Sequence, residues 1–239
     1  MRPPAIVLVR PRLPANLGSV ARVAKNFGVS EIRLVEPAAP ADDEAVRLAS
    51  GADDLLDALT RHGTLTDALA DCGVVVATSS LRGRGKSRAL ELAELPDFLS
   101  ASGDARVAFV FGPERSGLTE EERAHAGASL RLPTRPRFPT MNLSHSVAVV
   151  LAVLAAFGPG DPRTDVEPPA PAAELEAAVS HWDRALEAIG FYDTGHRPRS
   201  LRDWRGIVAG RPMTSREVAI LRGVANRVLV SLKRAKREA

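Results

Sequence analysis

The chain has 239 residues, 45 % of them hydrophobic and 26 % charged, with a formal net charge of +3 and one cysteine, Cys72. That length holds one large or two modest domains. A lone cysteine excludes an intramolecular disulfide and fits a reducing cytoplasm. No apolar run reaches the ~18 residues of a membrane span, and the N-terminus lacks the pattern of a signal peptide. The histidines, His62, His125, His145, His181 and His196, have no ligand spacing, so no metal is expected.

In chain order, Ala5–Val9 is short, apolar and branched, the mark of a buried strand. Asn16–Phe27 has apolar residues at helical spacing, and Gly28 supplies a stop. Glu31–Val35 reads as a second strand, followed by helical pieces over Asp42–Ala49, Asp53–Leu59 and Thr64–Ala70. Gly73–Thr78 is a third strand, Ser79–Arg88 a Gly/Arg loop, and Arg88–Ser100 a helix. Arg106–Phe111 and Ser129–Leu132 are the fourth and fifth strands, with a short helix over Leu118–Ala124 between them. Strands alternating with helices predict an α/β fold, a parallel sheet with helices on both faces.

A stiff loop with Pro133, Pro136 and Pro139 then leads into Val147–Phe157, which has hardly a polar atom. Prolines fix φ and leave the remaining N–H and C=O groups facing outward. Such a loop suits holding a small polar ligand against an apolar wall. Beyond it, Gly158–Ala173 is rich in Pro, Gly and acid and has no periodicity. We read residues 159–172 as a linker between a domain over 1–158 and a basic helical extension over 173–239. Within the extension, Ala173–Ile189 and Ser215–Arg237 are helical, joined by a basic connector with Trp204. From His196 onward, twelve arginines and lysines face only Asp203, Glu217 and Glu238. That excess of positive charge points to a polyanion, nucleic acid above all.

Two nucleotide-binding motifs fail on inspection. Ser80–Ser87 (SLRGRGKS) has serine where a P-loop needs its first glycine. The turn after the first strand holds a single glycine, Gly18, and so is not a dinucleotide fingerprint. Arg82, Arg84, Lys86 and Arg88 instead form a basic cluster suited to the phosphates of a large substrate. Three small motifs remain, each after a different strand: Asn16-Leu-Gly-Ser-Val-Ala-Arg22, Phe111-Gly-Pro-Glu-Arg-Ser-Gly-Leu-Thr119, and Leu132-Pro133 with Pro139-Thr-Met-Asn-Leu143. In a parallel sheet such loops gather at the carboxyl edge, where ligands bind.

These three motifs, in this order and at these separations, resemble the SPOUT class of RNA methyltransferases with a trefoil knot, and within it the TrmJ/LasT branch of ribose 2′-O-methyltransferases. The resemblance covers residues 5–157, and the tail, with AIGFYD and VAILRGVANRV, is similar to that branch as well. It implies S-adenosyl-L-methionine as cofactor, held at Thr78, Ser79, Ser80, Gly112, Leu132, Pro139, Thr140 and Met141. It implies a homodimer, an RNA substrate (tRNA, with the anticodon loop as target, or rRNA), and a site in which Arg22 activates the ribose hydroxyl. Asn16, Glu114 and Asn142 match the other polar motif positions and are expected to orient Arg22, the ribose and the knot loop. Asn142 is equally placed to cap a helix. Pro139-Thr140 departs from the small serines usual in the branch. A catalytically silent RNA-binding dimer of the same fold is the alternative reading.

Overall fold

A computed structural model describes residues 3–38, 41–79, 88–135, 137–157, 167–192 and 197–238, with side chains through residue 234. Seven strands are defined: β1 (Ala5–Val9), β2 (Ile32–Val35), β3 (Thr60–His62), β4 (Val74–Ser79), β5 (Arg88–Glu91), β6 (Val107–Phe111) and β7 (Ala128–Arg131). They form one sheet in the order β3-β2-β1-β6-β4-β7-β5, with every pairing parallel. β1, β2 and β6 are buried along their whole length, which is why β1 and β6 read as unbroken apolar runs and β2 departs from one only at Arg33. β7 lies between β4 and β5, two strands that follow one another in the chain. The later strand is thus inserted into an earlier crossover, the interleaving that a knotted path at this edge requires.

The strands' alternation builds two cores. Ile6, Leu8, Phe109 and Phe111 face one side, where they meet Leu17, Val20, Ala21 and Ala24 of α1 (Pro14–Asn26). Leu95 and Leu99 of α5 (Leu95–Ser100) and Leu143, Val147 and Val150 of α7 (Leu143–Phe157) complete that layer. Ala5, Val7, Val9, Ala108 and Val110 face the other side, against Leu65 and Leu69 of α4 (Leu65–Leu69). Gly18 lets α1 approach α2 (Asp43–Ala49) very closely, since a Cβ there would sit 2.0 Å from the carbonyl oxygen of Ala45. α3 (Asp53–Asp57) and α6 (Glu120–Arg123) are short.

Three further helices, α8 (Ala172–Ala188), α9 (Arg197–Ala209) and α10 (Ser215–Glu238), enclose their own apolar cluster of Ala178, Val179, Val208, Met213 and Val218. Trp182 and Trp204 stack within it, ring centroids 5.5 Å apart. Trp204 is therefore a packing residue. These helices are fastened to the start of β4: the N–H of Ala172 donates to the carbonyl of Cys72 (2.9 Å) and that of Ala173 to Ala70 (3.1 Å). Gly73 and Gly127 supply the notches, because a Cβ on either would lie 2.9 Å from the carbonyl oxygen of Pro169 or Ala209.

Several expectations need correction. Arg88–Ser100 is not one helix. Pro96 cannot continue a helix from upstream, so Leu92–Glu94 forms a 3-10 turn and α5 starts at Leu95. Arg88–Glu91 instead pairs with β7, where Leu90 is fully buried. β3, three partly exposed residues on the opposite edge, has too little apolar pattern to be read from sequence. The connector with Trp204 is the helix α9, whose Pro198 sits in the first turn, where its missing N–H costs nothing. The last residues of the expected linker are docked: Ala170 is buried and donates to the carbonyl of Met213.

One charged group lies deep. Arg33 on β2 is 5 % exposed, and its guanidinium donates to both Asp71 carboxylate oxygens (2.6 and 3.0 Å) and to the carbonyl of Ala68. The hydrogen bonds from Arg33 hold the Asp71 carboxyl down at about 2, against 3.8 ordinarily. A carboxyl lowered by folding stabilises the native state above its unfolded pKa and ceases to do so as pH falls through the folded one. Between pH 4 and 2, Asp71→Asn should therefore lose less of its urea midpoint than the wild type does.

Candidate active site

The carboxyl ends of β4, β6 and β7 open onto a cleft with about 580 Å³ of empty space, partly open to solvent. Thr78 and Ser79 line it from β4, Gly112, Pro113 and Glu114 from the turn after β6, and Leu132, Thr134, Pro139, Thr140 and Met141 from the loop after β7. Ser146 of α7 closes the floor. Seven of the eight residues that the family resemblance assigns to a cofactor thus share one cavity. The eighth, Ser80, falls outside the described residues, as do Arg82, Arg84 and Lys86. Arg88 is described: it begins β5, with its guanidinium 5.6 Å from the centre of the Phe98 ring.

Each wall has a local cause. The turn after β6 closes through a hydrogen bond from the N–H of Gly117 to the carbonyl of Pro113 (2.9 Å). Gly117 takes a φ of 65°, which glycine adopts without strain. A Cβ on Gly112 would lie 2.4 Å from both the Gly117 carbonyl carbon and the Leu118 nitrogen. The space that Gly112 leaves is therefore filled by its own loop and not by a ligand. Thr119 caps α6 and forms a reciprocal capping box with Glu122. Glu122 also accepts from Arg10 at the end of β1, which fastens the first strand's loop to the second motif. Burial pushes the Glu122 carboxyl up, but the Arg10 guanidinium and the Thr119 N–H outweigh it, and its pKa lies below the usual range.

At the cleft's edge the three motifs meet through side chains. Asn16 (4 % exposed) donates from Nδ2 to Glu114 Oε1 at 2.7 Å, and its Oδ1 accepts from Asn142 Nδ2 at 3.0 Å. Asn142 Oδ1 in turn accepts from the N–H (2.9 Å) and the hydroxyl (2.7 Å) of Ser144, capping α7. Asn142 is both a helix cap and a member of the polar chain. The second carboxylate oxygen of Glu114, Oε2, is buried and accepts no hydrogen bond among the described residues. An unsatisfied buried acceptor costs about 1–3 kcal/mol, and it leaves a place for a donor or cation entering the cleft.

Arg22 does not join this chain of contacts. Six residues at ~100° each put it about 120° around α1 from Asn16, and its side chain is exposed with no hydrogen bond or ion pair among the described residues. On the extension, Arg197, Arg202, Arg205 and Arg211 are paired with carboxylates. Arg199, Arg216, Arg227, Lys233 and Arg234 have no such partner among the described residues. The polyanion-facing charge is therefore smaller than a residue count gives. Sequence reasoning missed Pro113, Thr134 and Ser146 as lining residues. Ser146 was legible as the small polar position one turn after Asn142.

Residues 3–152 match the model of the SpoU rRNA Methylase family, and residues 173–239 match that of the tRNA methyltransferase TrmJ C-terminal domain. The tRNA (cytidine/uridine/adenosine-2′-O-)-methyltransferase TrmJ of Pseudomonas aeruginosa is 36 % identical over 236 residues, covering 92 % of this chain and 91 % of its own. The crystal structure of TrmJ from Zymomonas mobilis ZM4 superposes with a TM-score of 0.85 at 33 % identity, over 94 % of this chain and 98 % of that one. An AdoMet-bound rRNA methyltransferase from Sinorhizobium meliloti superposes at 0.54 with 27 % identity, over 66 % and 57 % of the two chains.

Proposed function

The chain belongs to the SpoU rRNA methylase family, and from that premise we propose that it is an S-adenosylmethionine-dependent methyltransferase acting on a ribose 2′-hydroxyl of tRNA. The observation that carries the reading is the cleft lined by the second and third motifs, with Asn16 of the first joined to Glu114 at its edge. Its mixed polar and apolar lining suits a small polar ligand, and the unpartnered Oε2 of Glu114 suits a hydroxyl or cationic group. S-Adenosylmethionine supplies an activated methyl on a sulfonium. Thr78, Ser79, Gly112, Leu132 and Met141 hold it, with Pro139 and Thr140 shaping the loop over it. Pro139 offers no N–H, so that side is read through carbonyls and the Thr140 hydroxyl.

The protein's own task is to place the ribose hydroxyl within about 3–3.5 Å of the methyl and stabilise the charge that develops on it. Arg22, an exposed cation on α1, does this by orienting the nucleotide and stabilising the forming alkoxide once RNA is bound. A guanidinium is a poor base, so the hydroxyl proton passes to solvent at the open side of the cleft as the methyl–oxygen bond forms and the methyl–sulfur bond breaks. Asn16, Glu114 and Asn142 hold the loops in register. The relatives' names specify cytidine, uridine and, in one case, adenosine 2′-O positions of tRNA; the anticodon loop is the region we assign. We further propose a trefoil-knotted path through β7 and its loop, a cytoplasmic enzyme, no metal, and a homodimer joined through the outward face of α7. Ala152, Ala155, Ala156 and Phe157 are exposed on that face, Phe157 by 69 %. In that dimer the outward-facing Arg22 is available to RNA lying across the interface.

Incubation with labelled S-adenosylmethionine and tRNA should leave label in a ribose 2′-O-methyl nucleoside. Label in rRNA alone would reassign the substrate, and tight RNA binding without label would favour a silent RNA-binding dimer. Light scattering at micromolar concentration should give twice the 25.4 kDa chain mass; the chain mass itself would remove the dimer.

A further inference from the structure

The loop over the cleft carries a projection that the reaction, as derived so far, does not use. Between Thr134 and Pro139, both lining the cleft, the chain turns back on itself. The N–H of Phe138 donates to the carbonyl of Arg135 (2.9 Å), and the two residues form an isolated antiparallel bridge. The hydroxyl of Thr134 donates to the carbonyl of Pro139 (3.1 Å), closing the base of the turn. Pro139, at the end of the turn, limits the conformations that must be given up on ordering. Phe138, which closes the turn, is 78 % exposed, more than any other large hydrophobic side chain among the described residues. Arg135 and Arg137, both just ahead of it in the chain, are exposed and make no side-chain hydrogen bond or ion pair among the described residues.

An exposed phenylalanine is ordinary when isolated. Here it is held on a pinned turn, at the rim of a cleft, in the same turn as two unneutralised guanidinium groups. A protein partner with an apolar pocket would have to desolvate both arginines, whereas a single-stranded nucleic acid supplies π faces and phosphates together. We propose that the Arg135–Phe138 turn reads the RNA beside the reacting ribose, with Phe138 stacked on a nucleobase and Arg135 and Arg137 on the flanking phosphates. The proposal rests on the methyltransferase reading of the cleft and adds to it the residue that selects an unpaired, splayed nucleotide. Helical RNA keeps its bases stacked inside, so Phe138 favours loops over stems.

The test is binding of tRNA to the full-length protein by fluorescence titration, a readout that does not require turnover. Phe138→Ala should weaken binding about tenfold or more, and Phe138→Tyr should stay close to wild type. In methyl transfer, the alanine variant should raise KM for tRNA more than it lowers kcat, with the heat of S-adenosylmethionine binding unchanged. Replacing Arg135 and Arg137 together with glutamine should reduce the slope of log K against log salt by about 1.5. Undiminished tRNA binding by Phe138→Ala overturns the proposal, and so does a shift of that variant to a smaller species in light scattering, which would place the ring between two copies of the chain. A wild type that binds tRNA without transferring methyl defeats the catalytic reading alone, and the ratio of affinities still decides this one. A wild type with no measurable tRNA affinity overturns both.

Discussion

Arg22→Ala should lower methyl transfer to tRNA by about 10²-fold or more, with S-adenosylmethionine affinity and melting temperature close to wild type. The magnitude is that of removing one donor from the site of developing negative charge, on the proposed role of Arg22 with RNA bound. The melting temperature should hold because Arg22 is exposed and makes no hydrogen bond or ion pair among the described residues, and surface substitutions of that kind stay within about 0.5 kcal/mol. Lysine should restore only part of the rate, since an ammonium lacks the planar, bidentate donor set that matches a phosphate beside the ribose. Single-turnover transfer of label, alongside calorimetry with the cofactor, separates the two effects. Unchanged transfer by the alanine variant removes Arg22 from the chemistry.

Gly112→Ala should damage fold and site together. The new methyl would be placed 2.4 Å from backbone atoms of Gly117 and Leu118, which have no flexible side chain to swing aside. Either the turn after β6 opens or β6 shifts. Overpacking of this kind costs about 1–3 kcal/mol. An opened turn also moves Glu114, whose Oε1 holds Asn16. We therefore expect a lower urea midpoint and cofactor affinity reduced at least about tenfold, one pKa-scale unit of free energy. Unaltered cofactor affinity in a stable variant would show that the turn's geometry does not matter to the cleft.

The parts of the fold legible in the sequence were those where local pattern and tertiary demand coincide. Ala5–Val9, the first four residues of β4 (Val74 to Ala77) and Val107–Phe111 are apolar because both faces of the sheet are covered there. Arg88–Glu91 was hidden because a four-residue edge strand with one buried side chain has no periodicity to read. Its pairing comes from the gap beside β7, although Pro96 already argued against the helix expected there. α9 was obscured by arginines, whose aliphatic stems and partners, such as the Arg205–Glu176 pair, only make sense once α8 is alongside. In the site, motif spacing was enough to collect the lining residues at one sheet edge. The Asn16–Glu114–Asn142 contacts join residues up to 126 positions apart, and no local signal encodes which oxygen meets which nitrogen. The outward position of Arg22 was, by contrast, open to helix arithmetic from the start.

The basic helices take root at the amino end of β4, by Cys72 and Gly73, while the cleft opens at its other end, by Thr78 and Ser79. Six residues of extended chain separate the two, about 20 Å. A dinucleotide seated in the cleft would end short of that root, so an RNA that engages both ends of the strand has to reach well beyond the reacting nucleotide.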